Sequence, residues 1–217
     1  MKFSVVFGSQ ARGDFSDKSD FDILLVNMDK ERFDYSIVPE KFRDKVDFVE
    51  YSEDEFLDFY NKGSLFLYHI LKQGKVMEGS VITWKKLESE FIVQDDFSEE
   101  LNRIRDTSKL IKNVSIFGGK YLTPLSNMFT ELKNACIFSL AHKKVYEFNK
   151  KECLEAALPK NIYDKELNDL KHFYDYVVRG QSYLPFSPND VVKSEFLLET
   201  AVNSIEWLND DCSIRNN

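Results

Sequence analysis

Short apolar runs cut off by glycine or acids dominate the first part of the chain, whereas stripes repeating every three or four positions fill the rest. Lys2 to Phe7, KFSVVF, is a β-branched and aromatic run stopped by Gly8, which predicts a strand. Phe21 to Val26, FDILLV, predicts a second strand, and Val46 to Tyr51, VDFVEY, a third with alternating character. Between Gly8 and Ser19 the chain is polar, with room for a helical turn or two starting near Ser9. From Ser52 to Leu71, the apolar positions Phe56, Phe59, Tyr60, Leu67, Ile70 and Leu71 recur at helical spacing, and Gly63-Ser64 divides the stretch into two helices. Lys75 to Trp84, KVMEGSVITW, is expected to supply a last short strand.

After Asp95 the pattern changes and no further strand is expected. The stretch from Asp95 to Gly119 predicts a helix stopped by Gly118-Gly119. Thr123-Pro124 announces the next, with Thr as cap and Pro at the first helical position, followed by a stripe at Leu125, Phe129, Leu132, Cys136 and Leu140. Ser187-Pro188-Asn189-Asp190 repeats that device before another helix, and residues 164–180 supply one more, stopped by Gly180. The reading is α+β: a mixed sheet with flanking helices over residues 1–94, then an all-α antiparallel bundle of about four helices over residues 95–217.

Composition narrows the class. Of 217 residues, 43% are hydrophobic and 30% charged, with few Gly and Pro, so long disordered segments are not expected. The net charge of −8 is uneven: 13 basic against 19 acidic residues through Asp95, then 16 against 18. Tight, nonspecific attachment to nucleic acid needs clustered Lys and Arg and is not expected; an acidic cleft suits a cationic partner better. Cys136, Cys153 and Cys212 are odd in number and far apart, suggesting neither a disulfide framework nor zinc, and each reads as a small buried apolar residue. The apolar run before Gly8 is too short for a signal-peptide core and no run reaches membrane-spanning length, so a cytoplasmic location is expected.

The chemistry concentrates between residues 8 and 47. Asp20 and Asp22 lie two apart, so in extended chain both leave one face while Phe21 points to the core. Two like carboxylates this close repel unless a cation sits between them. Asp47, in the Val46-Asp47-Phe48 strand, would join them from a neighbouring strand; three carboxylates with no nearby His or Cys favour a hard ion such as Mg²⁺. Magnesium so held keeps positions open for phosphate, and Gly8-Ser9 stands where phosphate would lie: glycine permits close backbone approach, and Ser9 adds a hydroxyl at a helix start. Arg12, a turn later, can add a charge-assisted contact. Phosphoryl or nucleotidyl transfer by a metal pair fits this set.

Gly8-Ser9-x-Ala11-Arg12-Gly13, then Ser19-Asp20-x-Asp22, then Asp47 between apolar neighbours, resembles the signature of the DNA polymerase beta-type nucleotidyltransferase superfamily. It is most similar to the small bacterial branch of minimal nucleotidyltransferases and aminoglycoside nucleotidyltransferases. The likeness is dense over residues 5 to 26 and extends to about residue 80. It implies that Asp20, Asp22 and Asp47 bind two Mg²⁺ ions around ATP or another nucleoside triphosphate, with Gly8, Ser9, Arg12 and Ser19 on the nucleotide. One ion would orient the triphosphate and its pyrophosphate leaving group. The other would lower the pKa of the acceptor hydroxyl, with Asp47 as both ligand and candidate general base. Relatives often place a helix before the first strand, whereas this sequence opens almost directly on the strand.

The second half is similar, more loosely, to the HEPN-type partners of minimal nucleotidyltransferases and to the C-terminal domain of kanamycin-type enzymes, chiefly through residues 129–156. HEPN ribonucleases carry Arg, then four to six residues, then His. None of His69, His142 or His172 stands so, which implies a bundle without that nuclease site. Glu131 and Glu147 are candidates for a second base. The resulting expectation is transfer of AMP from ATP to a hydroxyl, with an aminoglycoside-like small molecule as favoured acceptor between the two halves. The alternatives are a protein acceptor, and a regulatory or toxin–antitoxin-type binding module. A homodimer through the helical half fits the same reading.

Overall fold

The structure is a computed structural model that describes residues 1–160 and 165–215, and it divides into two compact units, Met1–Gln94 and Asp95–Asn217.

The first unit is built on a four-stranded mixed sheet: β1 (Phe3–Val6), β2 (Phe21–Val26), β3 (Val46–Tyr51) and β4 (Lys75–Glu78), in the order β3-β2-β1-β4. β2 pairs antiparallel with β1 and parallel with β3, and β1 pairs antiparallel with β4. The short helix α1 (Gly8–Arg12) connects β1 to β2; α2 (Glu53–Asn61), α3 (Leu65–Gln73) and α4 (Val81–Glu90) follow β3. Alternation sorts the strand side chains into two cores. Leu24 and Val26 join Phe3, Val5 and Phe7 against Phe56 of α2, Leu67, Ile70 and Leu71 of α3, and Trp84 of α4. Phe21, Ile23 and Leu25 join Ala11 of α1 and Phe33, Val38 and Phe42 on the opposite face. Phe33 and Val38 directly follow the short 3-10 segments Lys30–Arg32 and Tyr35–Ile37, and Phe42 lies within a third, Glu40–Lys45; the apolar pattern did not predict these segments because they are too short to show a period.

Two caps fix the helices. Ser52 accepts from the Glu55 amide while the Glu55 carboxylate accepts from the Ser52 amide, a reciprocal capping box, and Ser64 opens α3 after Gly63. The strand expected from Lys75 to Trp84 ends at Glu78. Gly79, at φ 113°, turns the chain, and Ser80 then accepts from the Thr83 amide at 3.2 Å, so Val81 to Trp84 begin a helix instead.

The second unit holds five helices among the described residues: α5 (Ser98–Lys112), α6 (Leu122–His142), α7 (Lys150–Ala157), α8 (Lys165–Arg179) and α9 (Val191–Arg215). This is one more than the four expected; α7 is only eight residues long and its stripe is short. The helix anticipated over residues 164–180 is seen as α8, with position 164 outside the described residues. α6 is the centre, with Leu125, Phe129, Leu132, Cys136 and Leu140 all in the core. α5 runs antiparallel to α9, as Asn102 meets Asn209, Lys109 meets Glu206 and Lys112 meets Glu199. α6 runs parallel to α9, since Tyr121 bonds Glu195 and Cys212 bonds Ser139.

Three boundaries differ from the sequence reading. α5 stops at Lys112 and the chain reaches Gly118 through a 3-10 segment. α6 starts at Leu122, so Thr123 is not its cap; Pro124 lies within the first turn, where the N–H it lacks has no helical partner to lose. Before α9 the cap is Asp190, whose carboxylate accepts from the Lys193 amide at 3.2 Å, and Ser187-Pro188 form the preceding turn. Among the described residues no helix is long and apolar enough to cross a membrane.

Candidate active site

The sheet register brings two of the three acids together. Asp22, second residue of β2, is the Cα partner of Asp47, second residue of β3, in a parallel ladder. Neighbouring strands lie about 4.8 Å apart, and register partners project from the same face. That face also carries Leu24 and Val26, so the pair stands at the end of the β2 and β3 rows that otherwise pack under α2 and α3. Asp47 is exposed and Asp22 partly buried. Asp20 lies just before β2 and is partly buried, while Phe21 between the two is in the core against Phe42. Among the described residues no group of three or more His, Cys, Asp or Glu side chains gathers closely enough to hold a metal ion, so the expected three-acid set is present in sequence but not drawn together.

Glycine at position 8 is dictated by Asp22. The Phe7 amide donates to the Asp22 carbonyl at 3.0 Å, extending the β1–β2 ladder to the turn. Gly8 then adopts φ 67°, and a Cβ placed there would sit 2.3 Å from Asp22 Oδ2. The Asp22 carboxylate therefore occupies the space that any other residue at position 8 would fill. Ser9 follows, partly buried, and its carbonyl accepts from the Gly13 amide at 2.9 Å to close α1. The first amides of a helix have no intrahelical acceptor, so the backbone at Gly8, close against the Asp22 carboxylate, begins a turn with unpaired intrahelical donors, and Ser9 adds a hydroxyl to that turn.

Arg12 and Ser19 are committed to protein partners. Arg12 Nε donates to Asp14 Oδ2 at 3.2 Å, and its Nη1 lies 3.1 Å from His69 Nε2 of α3. Ser19 is buried; its hydroxyl accepts from the Ser16 amide at 2.9 Å and thereby shapes the turn that delivers Asp20 to β2. His69 is the residue that sequence reasoning missed. Burial first, and the Arg12 charge second, push its pKa down to about 4, with Asp14 opposing. Its only trace in the sequence is a polar position within the apolar run LFLYHIL, which by itself does not point to Arg12.

In the second unit, Glu131 is half-buried, and burial raises its pKa against the opposing charges of Arg103 and Lys133. It borders a cavity of about 220 Å³ with Arg103, Thr107, Asn134 and Phe138. The Glu147 carboxylate accepts from the Asn149 amide at 2.6 Å and so serves the approach to α7. His142 lies 3.8 Å from Asp96, and His172 meets the Tyr183 ring, both structural settings.

Carboxylate pairs of this kind suit a hard divalent cation, since Asp22 and Asp47 offer only oxygen donors and stand side by side. Comparison with known proteins gives an independent indication. Residues 1–79 match the family model described as Polymerase beta, Nucleotidyltransferase, which takes in the whole sheet and the turn at Gly8. The first unit thus has a nucleotidyltransferase-like fold, and the match supports nucleotidyl transfer as the general activity. No curated protein matches the chain. Among solved structures, a nucleotidyltransferase-like protein from Exiguobacterium sibiricum 255-15 aligns over 97% of this chain and 69% of its own, at 12% identity and a TM-score of 0.36.

Proposed function

We propose that the protein transfers a nucleoside monophosphate, AMP from ATP, to the hydroxyl of a small-molecule acceptor. The observation that carries this reading is the Asp22–Asp47 register pair set against the Gly8 turn, where a Cβ would strike the Asp22 carboxylate. Magnesium would be held by Asp22 and Asp47, the two acids that the register sets side by side. When bound, it supplies charge neutralisation for the triphosphate and a lowered pKa for the attacking hydroxyl. The chain's own part is positional. Gly8 and Ser9 bring backbone and hydroxyl to the phosphates, and Arg12 adds positive charge beside them. Asp47, the more exposed of the pair, would take the proton of the acceptor hydroxyl. An acceptor bearing amines suits the acidic balance of the first half.

The test is incubation with Mg²⁺ and α-labelled ATP, in parallel with an aminoglycoside panel and with cell lysate. Label on a small molecule supports the reading. Label on protein moves the acceptor class to protein hydroxyls, and transfer that survives Asp22→Asn removes the site assignment.

A further inference from the structure

We propose that His69 is a positioning residue: through its Nε2 it holds the Arg12 guanidinium in place to receive the polyphosphate of the substrate without cancelling the arginine's charge. The inference rests on the nucleotide reading of the Gly8–Arg12 turn and adds a residue from another element to it.

Arginine has no acceptor, so in the 3.1 Å contact Arg12 Nη1 donates and His69 Nε2 accepts, which puts the ring proton on Nδ1. The bond therefore needs a neutral imidazole. Its pKa, pushed down to about 4 by burial first and the Arg12 charge second, with Asp14 opposing, keeps the ring neutral at physiological pH. A carboxylate at position 69 would orient the guanidinium equally well but add a second negative charge to that of Asp14, which already pairs with Nε. Imidazole orients it without that second charge, so one carboxylate, not two, competes with an incoming anion.

The ring is itself braced. Phe7 meets His69 edge to face, at 6.2 Å and 88°, and Phe66 meets Phe7 at 5.5 Å and 87°. Phe7 is also the residue whose amide bonds the Asp22 carbonyl, immediately before Gly8. One run of contacts thus ties Arg12, through His69 and Phe7, to the turn that seats Asp22. Asp14 takes Arg12 Nε from the other side. Among the described residues Arg12 Nη2 has no hydrogen-bond partner, so a guanidinium gripped at two nitrogens offers its remaining N–H groups to an anion in fork geometry.

The experiment is calorimetric binding of inorganic tripolyphosphate, and separately of ATP with Mg²⁺, to wild type, Arg12→Ala, His69→Ala, His69→Gln and the Arg12→Ala/His69→Ala pair, each first checked for folding by circular dichroism. His69→Ala should weaken tripolyphosphate binding about fivefold in the wild-type background and less than about twofold once Arg12 is gone. His69→Gln, whose amide oxygen can accept from Arg12, should recover most of the affinity. Wild-type affinity should also fall between pH 6 and 4 more steeply than that of His69→Gln, because a protonated ring repels Arg12. Equal losses from His69→Ala in both backgrounds, no loss in a folded His69→Ala protein, or a loss in folded His69→Gln as large as in His69→Ala, overturn the proposal. Wild type that binds tripolyphosphate but not ATP would sink the nucleotide reading and leave the clamp standing; binding of neither overturns both.

Discussion

Gly8 is the position where a single methyl group sets local backbone against site chemistry. An alanine there must hold φ near 67° and place its Cβ within 2.3 Å of Asp22 Oδ2, so either the turn or the carboxylate moves. Backbone strain of this kind costs about 1–3 kcal/mol, which the sheet around β1 and β2 can absorb without unfolding. Gly8→Ala is therefore expected to melt a few degrees lower while losing nucleotidyl transfer by at least about a hundredfold, measured as pyrophosphate release. Asp22→Asn should lose activity to a similar or greater extent with a melting temperature at or above that of wild type, since it removes one of two facing negative charges. An Asp22→Asn protein that is fully active would show that the carboxylate pair has no part in the chemistry. Asp20 illustrates what residue spacing left open: the i, i+2 pattern places it near Asp22, yet the turn held by Ser19 and Ser16, not the strand, sets where its side chain lies.

At the scale of elements, what could be read in advance followed from periodicity and caps. β1, β2 and β3 were legible because each is a short apolar run with a breaker at its end, and α2 and α3 because Ser52 and Gly63-Ser64 punctuate one helical stripe. The Asp22–Asp47 pairing followed from the same strands once they are neighbours in the sheet. Two things were not legible. The 3-10 segments over residues 30–45 are too short to show a period, and Phe33 and Val38, just after the first two, and Phe42, within the third, acquire a role only when the sheet face exists. His69 likewise gains its meaning from a contact 57 positions away in sequence. The cap on α2 gives an element-scale prediction. Ser52→Ala removes the acceptor for the Glu55 amide and should destabilise the protein by about 1 kcal/mol, whereas Ser52→Gly should cost only a few tenths. In a chain of this size the alanine variant should melt about 2–4 °C lower by circular dichroism.

For the whole molecule, titration and thiol accessibility give separate handles on stability. His69 protonates near 6.5 when unfolded and near 4 when folded, so between those values the unfolded chain binds more protons. Its contribution is complete above about pH 6.5 and is lost as pH falls to and through about 4, by at most about 3 kcal/mol. Denaturation midpoints measured across that window should decline for wild type and flatten for His69→Gln. In the second unit the three thiols, Cys136 on α6, Cys153 on α7 and Cys212 on α9, are all buried, and burial pushes the Cys153 thiol up to about 12 and Cys136 well above its ordinary value. At pH 8 a thiol with pKa near 12 is thiolate only about one part in ten thousand, and only the thiolate attacks a disulfide reagent. Reaction with an aromatic disulfide should therefore be negligible in the native protein and reach three equivalents after guanidinium is added. With sub-denaturing guanidinium, the rate for each cysteine should follow the opening of its own helix, with the short α7 first. Rapid labelling of Cys153 in the native protein at pH 8 would mean that α7 does not stay seated on α6.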